Sequence, residues 1–211
     1  MAISLKKGQG ISLSKSEFDL SKVTIGLGWD IANSGGFLKN IFSKEAEYDL
    51  DAIAFLCHVD GKVHDLGDQR LVGGDVVFFN SQRHASGKIW LTGDNRTGAG
   101  DGDDEQIIVL LDSIPADIAK IVFVASIYEG RKKNQHFGRV QNAYIRAVDA
   151  RGREMVRTDL SASPETQNKC SMVFAELNRN GLGWEFKSLL RPEATDRFVD
   201  ILRDYYAAPR A

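Results

Sequence analysis

The residues of this sequence best suited to chemistry lie together in one polar segment, residues 92–105, which reads TGDNRTGAGDGDDE. It holds five carboxylates, four glycines and one basic residue, Arg96, and no apolar side chain larger than alanine. Carboxylates this close to one another repel unless a cation lies between them. Glycine lets the backbone adopt positive φ and turn its carbonyl groups inward. Hard oxygen ligands on a glycine-rich loop favour Ca²⁺ over Mg²⁺, which dehydrates reluctantly and keeps few protein ligands.

This acidic segment does not form a complete metal site by itself. An EF-hand loop that began at Asp101 would have Gln106 at the position that needs glycine. It would also have the apolar run 107–111 where further oxygen ligands are required. The sequence therefore excludes an EF-hand, and we expect the remaining ligands to come from distant parts of the chain.

Three further acids are placed to complete such a site, because each lies at the end of a predicted strand. Asp30 follows the strand-like run 23–29. Asp49 and Asp51 enter a second strand and, being two residues apart, lie on one side of an extended chain. Two carboxylates on one side of a strand entrance make sense if that side borders an ion. With the acidic segment, these residues provide enough ligands for two adjacent ions.

Two alternatives to a Ca²⁺ site stay open on the residues alone. The segment could be a solvated acidic loop on a purely structural scaffold. Alternatively, Asp101, Asp103 and Asp104 could serve a metal-dependent hydrolase. The four histidines show no paired ligand spacing, and the sequence has no GxSxG elbow, P-loop or Rossmann glycine pattern. We therefore predict no catalytic residue, no organic cofactor and no enzymatic activity.

Short strands separated by turns at steady intervals dominate the chain. The most apolar of them, residues 120–128, is expected to lie at the centre of a sheet. No long helices alternate with the strands, which argues against a doubly wound α/β fold. The pattern predicts an all-β fold, a β-sandwich of two mainly antiparallel sheets with a short insertion after the first strands.

The insertion covers residues 33–47 and has the spacing of one or two turns of amphipathic helix. Its apolar residues are Phe37, Leu38, Ile41 and Phe42. We expect a loop that packs its own aromatic side chains on the sheet. A patch that faces a partner or a membrane is the alternative.

The C-terminal stretch has a different pattern, and we predict a helix over residues 193–206 that Pro192 opens. Apolar residues recur there at helical spacing, at Phe198, Ile201, Leu202 and Tyr205. We expect the helix to pack on the sandwich, with a contact between two copies as the alternative, so the oligomeric state stays open. The predicted organisation is one domain, with the Ca²⁺-binding sandwich at 1–191 and the packed helix at 192–211.

Composition excludes several other classes of protein. The chain has 211 residues, is 43% hydrophobic and carries a net charge of -2, which gives no sign of a nucleic-acid partner. No secretory signal and no apolar stretch of roughly 20 residues is present, so we expect a cytoplasmic protein. Cys57 and Cys170 lie far apart in the sequence and are expected to be reduced thiols.

Five stretches of the sequence together resemble the TerD family of bacterial tellurium-resistance and stress-response proteins. The resemblance runs from about residue 8 to residue 190, and the long acidic segment is its most specific part. The stretches are GLGWD at 26–30, DLDA at 49–52, the acidic segment at 92–105, IPA with KIVFV at 114–124, and FGRVQNAYIR at 137–146.

The resemblance implies a β-sandwich that binds Ca²⁺, typically two ions, without an established catalytic activity. It also implies a role in resistance to tellurite and other chemical stress. We expect partners among other stress-response proteins, in a complex near the inner membrane. The chain departs from the shortest family members in the insertion and in a longer, helical tail. The residues at matching positions are Asp30, Asp49, Asp51, Asp94, Asn95, Asp101, Asp103, Asp104 and Glu105.

Overall fold

A computed structural model describes residues 2–31, 48–92, 102–160, 164–181 and 183–206. The predictions for the insertion and for Asp94, Asn95 and Asp101 lie outside these residues. The backbone of Asp30 is described, but its side chain is not.

The described residues form twelve β-strands and one α-helix. In chain order they are β1 (Ile3–Ser4), β2 (Gly10–Leu13), β3 (Val23–Ile31), β4 (Leu50–Cys57), β5 (Val76–Val77), β6 (Ile89–Thr92), β7 (Glu105–Val109), β8 (Lys120–Ile127), β9 (Val140–Val148), β10 (Glu154–Leu160), β11 (Ser171–Asn180), β12 (Gly183–Glu193) and α1 (Phe198–Tyr205).

The strands form two six-stranded sheets that pack face to face as a sandwich. The first sheet has the order β1-β10-β9-β3-β7-β6, and the second has the order β2-β12-β11-β8-β4-β5. The second sheet is antiparallel throughout, whereas β1 runs parallel to β10 in the first. The predicted all-β sandwich with a C-terminal helix is therefore confirmed.

Strand alternation builds the core between the sheets. In β3, Ile25 and Leu27 face the second sheet, and the small residues Gly26 and Gly28 occupy the outer face. In β4, Ala52 and Ala54 face inward in the same way, and Phe55 lies on the outer face of the second sheet. Each sheet therefore has one face buried in the sandwich, and the second sheet also carries apolar side chains on its outer face.

The strand β8 is buried on both faces, as its apolar sequence predicts. It lies between β11 and β4, and every residue after Lys120 is buried. Its inner face contributes Phe123 to the core between the sheets, and its outer face contributes Val122 and Val124 to a second apolar cluster. The helix α1 covers that second cluster with Ile201 and Leu202, so the helix packs on its own sandwich.

The predicted start of the C-terminal helix was wrong by about one turn. Pro192 does not open the helix but lies inside β12, paired with Met172 of β11. On its other side β12 pairs with β2 only from Trp184 to Lys187, so the missing N–H of Pro192 costs no ladder bond there. The helix begins at Phe198, where the apolar spacing begins. Among the described residues, no helix is long and apolar enough to cross a membrane.

Candidate functional site

Three segments that are distant in sequence meet at one end of the sandwich. They are the end of β3, the start of β4 and the acidic residues that lead into β7. The strand β7 pairs with β3 in its own sheet and contacts β4 of the other sheet. The acids Asp103, Asp104 and Glu105 each turn to a different environment at this junction. Only Glu105 belongs to β7, so Asp103 and Asp104 do not follow the strict alternation of a strand.

Glu105 points between the two sheets. It shares the inward face of β7 with Ile107 and Val109, and only 3% of its surface is exposed. Its Oε2 atom accepts a hydrogen bond of 2.5 Å from the backbone N–H of Ala52 in β4. The strand β5 pairs with β4 only at Ala54 and Phe55, so the carboxylate satisfies an edge N–H that β5 does not reach.

Asp104 extends the hydrogen bonding between β7 and β3 past the last paired residues. Its backbone N–H donates to the carbonyl oxygen of Leu27 at 2.9 Å. Its Oδ2 atom accepts the backbone N–H of Trp29 at 2.9 Å. The register of β3 against β9 shifts between Gly28 and Asp30, and Asp104 thereby holds the backbone where this irregularity occurs.

Asp103 lies on the outer face of the first sheet, and four donors surround its two carboxylate oxygens. Arg146 of β9 donates from Nε to Oδ1 at 2.7 Å and from Nη2 to Oδ2 at 3.1 Å. The hydroxyl of Tyr144 lies 3.1 Å from Oδ1 and is shared with the carbonyl oxygen of Gly102 at 2.8 Å. Gln106 donates from Nε2 to Oδ2 at 3.3 Å. The side chain of Asp103 is only 1% exposed.

The two main partners of Asp103 are held in their donor forms. Burial, together with the negative charge of Asp103, raises the pKa of Tyr144 to about 12, so the phenol keeps its proton. The hydrogen bond to Asp103 raises the pKa of Arg146 above its usual range against the effect of burial, and a bond to Glu154 adds to it. The Glu154 contact is an ion pair of 3.0 Å from Nη1 of Arg146.

The other predicted ligands lie near this junction or outside the described residues. Asp51 is half-buried in β4, directly before Ala52, on the face that it shares with Ile53. Asp49 precedes β4, and its backbone carbonyl accepts the N–H of Tyr128 at 2.8 Å. Among the described residues, no group of three or more histidine, cysteine or acidic residues is arranged to hold a metal ion. The ligand set stays a prediction.

Sequence reasoning missed Tyr144 and Arg146 as partners of the acidic segment. The signal that could have found them is the pair Gly26 and Gly28 inside a strand, since glycine there often marks a close approach by another group. A Cβ atom on Gly26 would overlap the carboxylate of Asp103, and one on Gly28 would overlap the ring of Tyr144.

A second polar cluster, also missed, joins two histidines to one carboxylate. Asp75 accepts from Nε2 of His58 and from Nε2 of His84, both at 3.2 Å, and from the backbone N–H of Asp65 at 3.0 Å. Burial alone would raise the pKa of Asp75. The hydrogen bonds from His84, Asp65 and His58 outweigh it and lower the pKa to about 2. Through these bonds to Asp75, His58 and His84 stabilise the turn-rich connection between β4 and β6.

The fold and this junction define a class of protein, a β-sandwich that collects acidic residues at one end. A family model for the TerD domain matches residues 1–205. The tellurium resistance protein TerX of Serratia marcescens is 61% identical over 212 residues, covering 97% of this chain and 100% of the relative. The stress response protein SCP2 of Bacillus subtilis (strain 168) is 38% identical over 208 residues, with coverage of 97% and 100%. The chain belongs to the TerD family of tellurium-resistance and stress-response proteins.

A solved structure agrees with the fold. It is described as a homologue of telluride resistance protein (TerD) from Streptomyces coelicolor A3(2). The two structures align with a TM-score of 0.63 over 89% of this chain and 99% of the other, at 22% sequence identity. At that identity the likeness supports the sandwich architecture alone.

Proposed function

We propose that this protein is a non-enzymatic Ca²⁺-binding module of a bacterial system for tellurite resistance and chemical stress response, and that it binds two Ca²⁺ ions. The observation that carries the proposal is the meeting of three acid-bearing segments at one end of the sandwich. Two contacts hold them there, the bond between Asp104 and Trp29 and the bond between Glu105 and Ala52. Asp104 lies 53 residues after Asp51 and 74 residues after Asp30, and these contacts bring the backbone segments that bear the three acids next to one another.

The chemistry of these residues suits Ca²⁺. The ion takes six to eight hard oxygen ligands in a flexible geometry, and carboxylates with backbone carbonyls supply them. When bound, Ca²⁺ would offset the repulsion among the carboxylates and cross-link the strand ends. The proposed ligands are drawn from Asp30, Asp49, Asp51, Asp94, Asn95, Asp101, Asp104 and Glu105.

A hydrolase is less well supported by the described contacts. Such a site needs a base beside the metal-binding acids. Instead, His58 and His84 bond to Asp75, and His64 bonds to Asp60 at 2.8 Å. The relatives named above are described by tellurium resistance and stress response, and neither name specifies an enzymatic activity.

Calorimetric titration of the full chain tests the proposal. Protein stripped with EDTA is titrated with Ca²⁺ and, separately, with Mg²⁺, and thermal unfolding is followed with each ion. We expect two Ca²⁺ ions to bind and the melting temperature to rise, since ligand at 100 times Kd adds about 2.7 kcal/mol of stability. Binding of neither ion would sink the proposal.

Matched variants identify the ligands. Asp94→Asn and Asp101→Asn should weaken Ca²⁺ binding, whereas Glu165→Gln should not, because Glu165 is exposed and pairs with Lys7. Unchanged affinity in both aspartate variants would remove these residues from the ligand set. Turnover of a phosphoester that is lost in Asp101→Ala would favour the hydrolase instead.

A further inference from the structure

The acceptor positions on the two carboxylate oxygens of Asp103 are already occupied by hydrogen-bond donors, which leaves none for a metal ion. A carboxylate offers about four lone-pair positions, two on each oxygen. Arg146 and Tyr144 occupy those of Oδ1, and Arg146 and Gln106 occupy those of Oδ2. With 1% of the side chain exposed, water does not reach it either.

A metal ion that bound Asp103 would have to displace a cation that is fixed in place. Arg146 bonds to Asp103 through two nitrogens and to Glu154 through the third, so the whole guanidinium is held in one orientation. Such a bidentate pair is strong and geometrically specific. An ion placed beside it would be repelled by the guanidinium at close range.

The same contacts hold the backbone next to the proposed ligands. Tyr144 donates to the carbonyl oxygen of Gly102, and Asp103 follows directly. The next residue, Asp104, makes the two bonds to β3, and Glu105 reaches β4. The hydrogen bonds that Asp103 accepts from Arg146 and Tyr144, called the lock below, therefore fix where residues 102–105 lie relative to both sheets.

We propose that Asp103 is a positioning residue and not a direct Ca²⁺ ligand, and that Arg146 and Tyr144 lock it so that the neighbouring acids face the ion. This inference rests on the proposed Ca²⁺ binding. It assigns to one of the predicted ligands a different task and adds two residues on β9 to the site. Groups that orient metal ligands in this way typically contribute about 10–100-fold to metal affinity.

The decisive experiment compares Arg146→Gln with Asp103→Asn in Ca²⁺ calorimetry on the full chain. If Asp103 is a positioning residue, each change weakens binding about 10–100-fold without altering the number of ions. The double variant is then no weaker than the weaker single variant, because both changes break the same lock. If Asp103 is a ligand, Arg146→Gln instead strengthens binding by removing a competing cation, and Asp103→Asn loses an ion. That pattern overturns the inference.

Arg157→Gln is the matched control for charge. Arg157 lies on the same sheet face, with its guanidinium 3.7 Å from the centre of the Tyr144 ring, and pairs with Asp159 at 2.7 Å. The variant removes the same charge without removing a bond to Asp103, and of its contacts with the lock residues only the stacking on Tyr144 is lost, so it should reduce Ca²⁺ affinity much less than Arg146→Gln or not at all. A loss of affinity equal to that of Arg146→Gln would show that any disturbance of this sheet face weakens binding, and it would contradict a specific role of the Arg146–Asp103 pair.

A metal-free measurement separates this inference from the proposed function. In EDTA, Asp103→Asn, Arg146→Gln and the conservative Tyr144→Phe should speed hydrogen exchange at the amides of Asp104 and Trp29. Tyr144→Phe keeps the ring over Gly28, so it is expected to fold. Unchanged exchange in all three variants overturns the lock. Failure of the wild type to bind Ca²⁺ would refute the proposed function and this inference together, whereas stronger binding in Arg146→Gln would refute this inference alone.

Discussion

The carboxylate of Glu105 in one sheet accepts a hydrogen bond from the backbone N–H of Ala52 in the other. Side chains between two packed sheets are normally apolar, and a charged one there must be bonded to avoid a large desolvation cost. The bond therefore joins the sheets at the end where the acidic segment enters β7. It connects the stability of the sandwich to the position of the proposed Ca²⁺ ligands.

Replacement of Glu105 tests this connection in the absence of metal. In EDTA, Glu105→Ala should lower the free energy of unfolding by about 1–3 kcal/mol, because the Ala52 N–H loses its acceptor. Glu105→Gln retains an acceptor oxygen and should cost less. Urea denaturation measures both, with the exposed Glu165→Ala as the control. Equal stability of the wild type and Glu105→Ala would show that the bond does not contribute.

Gly26 is predicted to be intolerant of even one added carbon. A Cβ atom there overlaps the carboxylate of Asp103, which Arg146 holds in place. We expect Gly26→Ala to lower the free energy of unfolding by about 1–3 kcal/mol through overpacking. Gly183→Ala is the matched control, since its nearest neighbour would be the carbonyl oxygen of Leu13 at an ordinary 3.5 Å. Equal free energies of unfolding for Gly26→Ala and Gly183→Ala in urea denaturation would contradict the close contact between Gly26 and Asp103.

Asp75 should make stability depend on pH in the acid range. Its pKa is about 2 in the folded protein, below the usual 3.8, so the unfolded chain binds its proton first as the pH falls. The contribution of Asp75 is therefore fully present above about pH 4 and is lost between about pH 4 and pH 2, with a size of about 2 kcal/mol.

The measurement compares the wild type with Asp75→Asn by urea denaturation across this range, in EDTA. We expect the variant to be less stable at pH 6 and the difference to shrink below pH 4. A difference that stays constant down to pH 2.5 would mean that the carboxylate is not stabilised by His58 and His84.

The docking of α1 should depend on Leu202. The side chain is buried against the outer face of the second sheet, in the cluster that includes Phe55 and Phe78. Leu202→Ala should lower the free energy of unfolding by about 2–3 kcal/mol through lost burial and a residual cavity. It should also increase binding of a hydrophobic dye. The neighbouring Arg203→Ala removes an exposed side chain and should do neither. Equal unfolding free energies and equal dye binding in the two variants would argue against close packing of α1 on the second sheet.

Much of the fold could be predicted from local patterns. The apolar run at 120–128 predicted a central strand, and β8 is one. The apolar spacing of Phe198 to Tyr205 predicted the helix, but Pro192 suggested too early a start. A proline is compatible with either a helix start or an unpaired strand edge, and the edge exists only once β2 has paired with part of β12.

The acidic composition of the candidate site could be predicted from the sequence, but the separate role of each acidic residue could not. The sequence by itself determined that carboxylates crowd before β7 and that other acids, Asp30 and Asp51 among them, lie at strand ends. It also determined the family and the sandwich. These conclusions depend on residue types, strand periodicity and spacing along the chain, which are local properties.

Only the tertiary structure decided the partner of each of three adjacent acids. Asp103 bonds to an arginine, Asp104 to the backbone of β3, and Glu105 to the backbone of β4 in the opposite sheet. Three adjacent carboxylates look alike in a sequence. Their roles differ because β7 pairs with β3 on one side and packs on β4 on the other, and because β9 brings Arg146 to the outer face. These partners are 40 or more residues away, so their identity depends on the long-range packing of the two sheets.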